Sequence, residues 1–184
     1  MAQLFLMNLA GWILKRAGWK FVINVPPPPK CVVCVAPHTS NWDFVIGELG
    51  SRSVGLKASF LMKDTWFFFP LGGLMRRLGG IPVKQHTHTN VSDQVVLAFG
   101  SHSRLWVAVT PEGTRSPNAT WHKGFLHIAR NAGVPLLLAY IDYSTRTACI
   151  DREFHPTADV EADIQAIKEY YRHFQGRFPE KFAL

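Results

Sequence analysis

Short β-branched apolar runs alternating with stretches of helical periodicity constrain this chain most. Cys31-Val32-Val33-Cys34-Val35-Ala36 is the plainest such run. Six consecutive apolar residues, bounded by prolines on one side and a polar cluster on the other, read as a strand buried on both faces. Ser40 to about Gly50 then reads as a helix, Ser59 to Met62 as a short strand, and Trp66 to Leu78 as irregular structure followed by a helix. Ile81 to Lys84 is another strand, Asn90 to Gly100 a helix, and Leu105 to Thr110 a strand. His122 to Asn131 is a helix ended by Gly133, and Pro135 to Tyr143 and Thr147 to Phe154 are strands. Asp159 to Phe174 places Val160, Ile164, Ile167, Tyr171 and Phe174 on one helical face. Such alternation predicts an α/β fold: a single domain whose mixed, largely parallel sheet is flanked by helices. A chain of 184 residues can bury that core. With 47% apolar and 18% charged residues, it is not a disordered polymer.

The ends of the chain's first strand bring in the cysteines and the N-terminal segment. Cys31 and Cys34 have CxxC spacing, but in a strand positions three apart point to opposite faces. With a third cysteine and no second Cys/His pair at zinc-finger spacing, they read as buried core thiols; redox or metal chemistry is the competing reading. Upstream, Leu4 to Leu14 is apolar apart from Asn8 and two glycines, and Lys15, Arg16, Trp19 and Lys20 follow. The stretch is too short to span a bilayer and lacks the basic start of a signal peptide. It suits an amphipathic helix at a membrane interface, or one packed on its own domain. Pro26 to Pro29 form a rigid extended spacer. The expected division is therefore a membrane-associating segment over 1–25 and the main domain over 26–184. A net charge of +7 favours polyanions: nucleic acid, anionic headgroups or phosphorylated cofactors.

In open α/β sheets, ligands sit beyond the carboxyl ends of the strands. Two such ends carry polar clusters. Pro37-His38-Thr39-Ser40-Asn41-Trp42-Asp43 joins the first strand to its helix, and Pro111-Glu112-Gly113-Thr114-Arg115-Ser116 follows the Leu105 strand. Ser40 with Asp43 three residues on fits a capping box, in which Asp43 only caps a helix and His38 is a loop residue. The other reading pairs them. Residues five apart do not meet on a continuous helix. If His38 lies in the turn before the helix, Asp43 in the first turn reaches it. A carboxylate on one ring nitrogen fixes the tautomer and stabilises the cation formed when the other nitrogen takes a proton. Arg115 offers a planar fork suited to phosphate, and Gly113 permits positive φ or close approach of backbone to a ligand.

His38 followed by Asp43 resembles the H-x4-D motif of the glycerolipid acyltransferases, the lysophosphatidate (1-acylglycerol-3-phosphate) acyltransferase type. Three further blocks follow in that family's order: Gly80-Ile81-Pro82-Val83-Lys84, Pro111-Glu112-Gly113-Thr114-Arg115-Ser116, and Val134-Pro135-Leu136-Leu137-Leu138. The resemblance spans roughly residues 31 to 143. It implies an enzyme that moves a fatty acyl group from acyl-CoA or acyl carrier protein to the hydroxyl of a lysolipid, with 1-acylglycerol-3-phosphate as the first expectation. His38 is then the general base and Asp43 its partner. Lys84, Glu112, Gly113, Thr114 and Arg115 are the expected substrate-binding residues. The expected partners are the lysolipid, the acyl donor and the membrane surface, with no nucleic acid, no metal and no cofactor beyond the thioester co-substrate. The expected location is peripheral, at the cytoplasmic face of the membrane.

Two positions depart from the family. Pro37 precedes the histidine where asparagine is common, and the second block continues Val83-Lys84-Gln85 with no arginine. Lys84 supplies a point charge in its place, not a bidentate fork. A non-phosphate lysolipid such as an acylated amino-acid lipid is therefore a second candidate acceptor. A hydrolase using the same base on water has no G-x-S-x-G elbow behind it, and a purely lipid-binding protein leaves the ordered blocks without a purpose. Trp66 to Met75, dense in aromatics, reads as acyl-tunnel lining, membrane contact or ordinary core; Arg76 and Arg77 beyond it suit headgroups or coenzyme A phosphates. His86 and His88 read as loop residues rather than a metal pair.

Overall fold

The computed structural model describes residues 2–84 and 90–184; Gln85, His86 and His88 lie outside them. The elements in chain order are α1 (Ala2–Arg16), β1 (Lys20–Ile23), β2 (Lys30–Ala36), α2 (Asn41–Ser53), β3 (Ala58–Lys63), α3 (Leu71–Arg77), β4 (Gly80–Val83), α4 (Val91–Ser101), β5 (Leu105–Val109), α5 (Gly124–Ala132), β6 (Leu136–Asp142), β7 (Thr147–Phe154) and α6 (Val160–Tyr171). The described strands make one sheet in the order β1-β7-β6-β2-β5-β3-β4. β2 to β6 run parallel, β7 runs antiparallel to β6, and β1 pairs parallel with β7. The mixed, largely parallel α/β sheet expected from the alternating pattern is thus present.

Each face of the sheet buries its own apolar set. On one, Val32, Cys34, Val107, Leu136 and Leu138 pack against Val95 and Phe99 of α4, Phe125 and Leu126 of α5, and Ile164, Ile167 and Tyr171 of α6. On the other, Cys31, Val33, Trp106, Leu137 and Ala139 pack with Phe21, Ile23, Val25 and Leu56, while Ile46 of α2 packs with Leu14, Ile141 and Ala148. Fully burying each leucine contributes about 1.5–3 kcal/mol, so Leu136-Leu137-Leu138 tie both layers together. Cys31 and Cys34 fall in different clusters, as a period of two requires. Both are buried free thiols, and burial pushes the Cys34 thiol up to about 12.

β1 went unforeseen because four residues between the Gly18 turn and the proline run are too few for a periodic signal. The segment before Pro26 therefore supplies the sheet's edge strand as well as a helix, and the division at residue 25 does not separate it from the sheet. α1 buries Ala10 and Leu14 and packs along α2. Leu4, Phe5, Leu9, Trp12 and Ile13 on the same helix face solvent, Trp12 at 61% exposure. Among the described residues no helix is long and apolar enough to cross a membrane.

Candidate active site

β2 and β5 are hydrogen-bonded neighbours, with Cys34 opposite Val109, so the loops that leave them begin side by side. The first loop turns into α2 at Ser40, whose extended backbone (φ −149°, ψ 154°) makes it the N-cap. His38 therefore lies outside the helix and Asp43 in its first turn. The imidazole Nδ1 stands 3.2 Å from Asp43 Oδ2. The His38 side chain keeps 18% exposure while Asp43 keeps 2%. Asp43 Oδ2 also accepts the backbone N–H groups of Thr39 and Ser40, each at 2.8 Å, and Oδ1 accepts the Tyr143 hydroxyl at 2.7 Å. The carboxylate is thus both cap and histidine partner, because one oxygen faces the amides and the ring together. With Nδ1 occupied, Nε2 is the ring nitrogen left for a ligand.

The second loop supports the first from beneath. Glu112, buried to 1% exposure, accepts the His38 backbone N–H at 2.8 Å. Burial pushes its carboxyl up to about 8; the His38 amide opposes the shift, and the nearby Asp43 charge adds to it. Gly113 takes φ +68°, and a Cβ there would meet His122 Cδ2 at 2.3 Å. Thr114 Oγ1 accepts the Ser116 N–H at 3.2 Å within the turn. Arg115 Nη1 donates to Asn41 Oδ1, which anchors the guanidinium at the start of α2.

A C-terminal strap completes the site. Tyr143 N–H donates to the Gln175 carbonyl at 2.9 Å, and Gln175 N–H donates to Asp142 Oδ1 at 3.2 Å. Phe178 N–H donates to Thr39 Oγ1 at 3.2 Å. Gly176 lies against the same threonine, where a Cβ would come within 2.8 Å of its side chain. Arg177 stacks over the Trp42 ring, 5.5 Å from its centroid. Tyr143 and the strap were missed from the sequence because they follow the last motif block and carry no spacing pattern of their own.

His38 and Arg115 stand on a 760 Å³ cavity that runs beneath α2 over the sheet, lined with Val33, Val35, Phe60 and Ala108. Phe44 of α2 meets Phe60 edge-on, with centroids 4.8 Å apart. His38, Asp43, Glu112 and Arg115 are brought together. Lys84 is not: β3 stands between β4 and β5, and Lys84 is tied through its backbone to the Gln94 side chain. Glu112, Gly113 and Thr114 are close by but do not line the cavity. Of the aromatic run, Phe67 packs inward on Gly72 and Gly80, whereas Phe68 and Phe69 are exposed, Phe69 at 95%.

A largely parallel α/β sheet with a histidine–carboxylate pair at the carboxyl ends of its strands, beside an apolar cavity, is an arrangement that can move a proton at an apolar substrate. Residues 23–141 match the family model described as Acyltransferase. The chain belongs to that acyltransferase family and is an acyl-transferring enzyme. Its fold is similar to that of the 1-acyl-sn-glycerophosphate (LPA) acyltransferase PlsC from Thermotoga maritima, with a TM-score of 0.62 over 94% of this chain and 80% of that one. At 17% identity the likeness is one of fold. Among curated proteins there is no significant match.

Proposed function

We propose that this enzyme transfers a fatty acyl group from acyl-CoA or acyl carrier protein to the free hydroxyl of a lysolipid, 1-acylglycerol-3-phosphate first among them, in phospholipid synthesis. The observation that carries the reading is the His38–Asp43 contact of 3.2 Å at a 760 Å³ apolar cavity. His38 Nε2 takes the proton of the acceptor hydroxyl as its oxygen attacks the thioester carbonyl. Asp43 holds the resulting imidazolium. The tetrahedral intermediate collapses with cleavage of the carbon–sulfur bond, and the departing thiolate takes the proton from His38. The cavity receives the acyl chain, each buried methylene contributing about 0.8 kcal/mol. Arg115, fixed by Asn41, faces the phosphate of the acceptor. The exposed apolar side of α1 sits in the membrane interface, holding the enzyme peripherally at the cytoplasmic face, where lysolipid is drawn from the bilayer.

A non-phosphate acceptor is the second reading, and one feature favours it. Arg115 is the only arginine or lysine among the described residues on the cavity, since Lys84 stands off it. The deciding experiment incubates the protein with labelled acyl-CoA or acyl carrier protein and a total lipid extract, and identifies the product by mass spectrometry. Phosphatidate carrying the labelled acyl group is expected. His38→Ala should lose about 10²–10⁴ of the rate while staying folded. Near-normal turnover by that variant removes the assignment of the base, and free fatty acid as the product replaces transfer with hydrolysis.

A further inference from the structure

The amino ends of β3, β4 and β5 form the edge of the sheet opposite His38, about 16 Å away along the length of β5 at roughly 3.3 Å per residue. There the structure holds a second cleft, of 520 Å³. Its basic side chains are Lys57 just before β3, Arg76 in the last turn of α3 and Arg104 just before β5, with the His102 imidazole after α4 beside them. Ala58 is registered opposite Trp106, so Lys57 and Arg104 begin adjacent strands, one position out of step. Strand spacing puts those backbones about 5 Å apart. No carboxylate is among the described residues lining the cleft, and Lys57, Arg76 and Arg104 form no ion pair with a described residue. Arg76 has only the face of Phe67, 5.1 Å from its guanidinium carbon. His102 Nδ1 donates to the Ala98 carbonyl at 2.8 Å, which leaves Nε2 unused.

Gathering like charges around one concavity without a counter-charge raises the free energy of the empty site and lowers it when an anion enters. Arg52 with Glu48 and Lys123 with Glu161 show what a paired surface cation looks like in this protein, and the cleft holds no carboxylate among its described residues to do the same. Two guanidinium forks and an ammonium match phosphoryl oxygens better than a lone carboxylate, because each fork supplies parallel donors. We infer that the cleft lined by Lys57, Arg76, His102 and Arg104 binds a small phosphorylated anion, separately from the His38 site. Its wall is shared: Ser59 and Trp106 line both this cleft and the apolar cavity. The phosphate belongs either to a free solute or to a lipid headgroup.

Calorimetric titration of the whole protein with inorganic pyrophosphate, and separately with dihexanoyl phosphatidate below its micellar concentration, tests this. Saturable binding is expected, at one site per chain for pyrophosphate and, for phosphatidate, at the cleft in addition to the product site beside Arg115. A Lys57→Gln/Arg104→Gln variant should weaken it at least about tenfold, since each lost charged hydrogen bond is worth a factor of that order. A charge-matched Lys15→Gln/Lys20→Gln variant should bind both probes as the parent does, and Arg115→Gln should bind pyrophosphate as the parent does while losing only the phosphatidate held at the His38 site. Thermal melts confirm that these exposed substitutions leave the fold intact. Pyrophosphate binding identifies a free solute as the source, and binding of dihexanoyl phosphatidate alone identifies a headgroup. Binding of neither overturns the proposal. So does equal weakening by the charge-matched pair, or loss through Arg115→Gln with the Lys57/Arg104 variant unaffected.

Discussion

The hydroxyl of Tyr143 donates to Oδ1 of Asp43 at 2.7 Å, joining the end of β6 to the first turn of α2 across a hundred residues of chain. It fixes the carboxylate from the side away from His38. Burial first, and then the hydrogen bond to the Asp43 carboxylate and its charge, hold the phenol well above its usual range, so it stays a donor at working pH. Tyr143→Phe keeps the ring and its edge contact with Trp19 but removes the donor. We expect kcat to fall about three- to tenfold, the size of one hydrogen bond to a charged group, with KM little changed. Steady-state kinetics checks this; an unaltered kcat means Asp43 needs no such brace.

Asp43 both caps α2 and contacts His38, and two substitutions separate those duties. Ser40→Ala removes a cap acceptor from the Trp42 amide and should cost about 1 kcal/mol of stability with turnover retained. Asp43→Asn should lose a similar amount of stability and, unlike Ser40→Ala, about 10²–10⁴ in rate, as the imidazolium loses its counter-charge. Denaturation and turnover measured on both variants provide the comparison. Equal activities in the two would reduce Asp43 to a cap.

Glu112 gives stability a pH dependence of definite sign. Its carboxyl lies at about 8 in the folded protein against 4.5 ordinarily. The folded chain therefore binds more protons than the unfolded chain between those values. Its contribution is fully present below about 4.5 and is lost as pH rises through about 8. Glu112→Gln should remove that component. Urea midpoints of the parent should fall relative to the variant across this window, and parallel curves would show that Glu112 titrates normally.

Gly113→Ala tests the second loop. A Cβ would strike the His122 ring, and φ +68° strains any side chain. A loss of about 1–3 kcal/mol is expected. His122→Ala in the same chain should restore part of it by clearing the clash while the backbone strain remains. Thermal melting of the single and double variants separates the two costs.

The outer side of α1 should carry membrane affinity. Phe5→Ser with Trp12→Ser removes two exposed rings that help no core. Sedimentation with anionic vesicles should show at least about tenfold weaker binding, given about 1.5–3 kcal/mol per ring transferred, at an unchanged melting temperature. Equal binding by the pair would place the contact elsewhere, for instance at Phe68 and Phe69.

Much of the architecture could be read directly from the sequence. A valine-rich run such as Cys31–Ala36 has few ways to be satisfied other than as a central strand, and Gly133 ends α5 in the left-handed conformation expected of a helix-closing glycine. The His38–Asp43 pairing needed only one turn of chain, so local spacing was enough to pose it. What was hidden depended on distance. Nothing in Glu112 itself reveals that it is buried under the His38 amide, because that follows from the β2–β5 register. Lys84 lay one motif away in the expected order but sits across an intervening strand. Tyr143 and the strap residues reach the site only through the return of β6 and α6.

The Phe178–Thr39 tie also orders events during synthesis. The turn bearing His38 emerges from the ribosome early, yet the amide that holds its neighbour is made some 139 residues later. A nascent chain can assemble β2, β5 and β6 and still lack the final clasp. The turn beside His38 thus gains this tie only once residue 178 has been made, after the strands that floor the apolar cavity, so a shorter chain presents a grease-lined opening before the clasp over it.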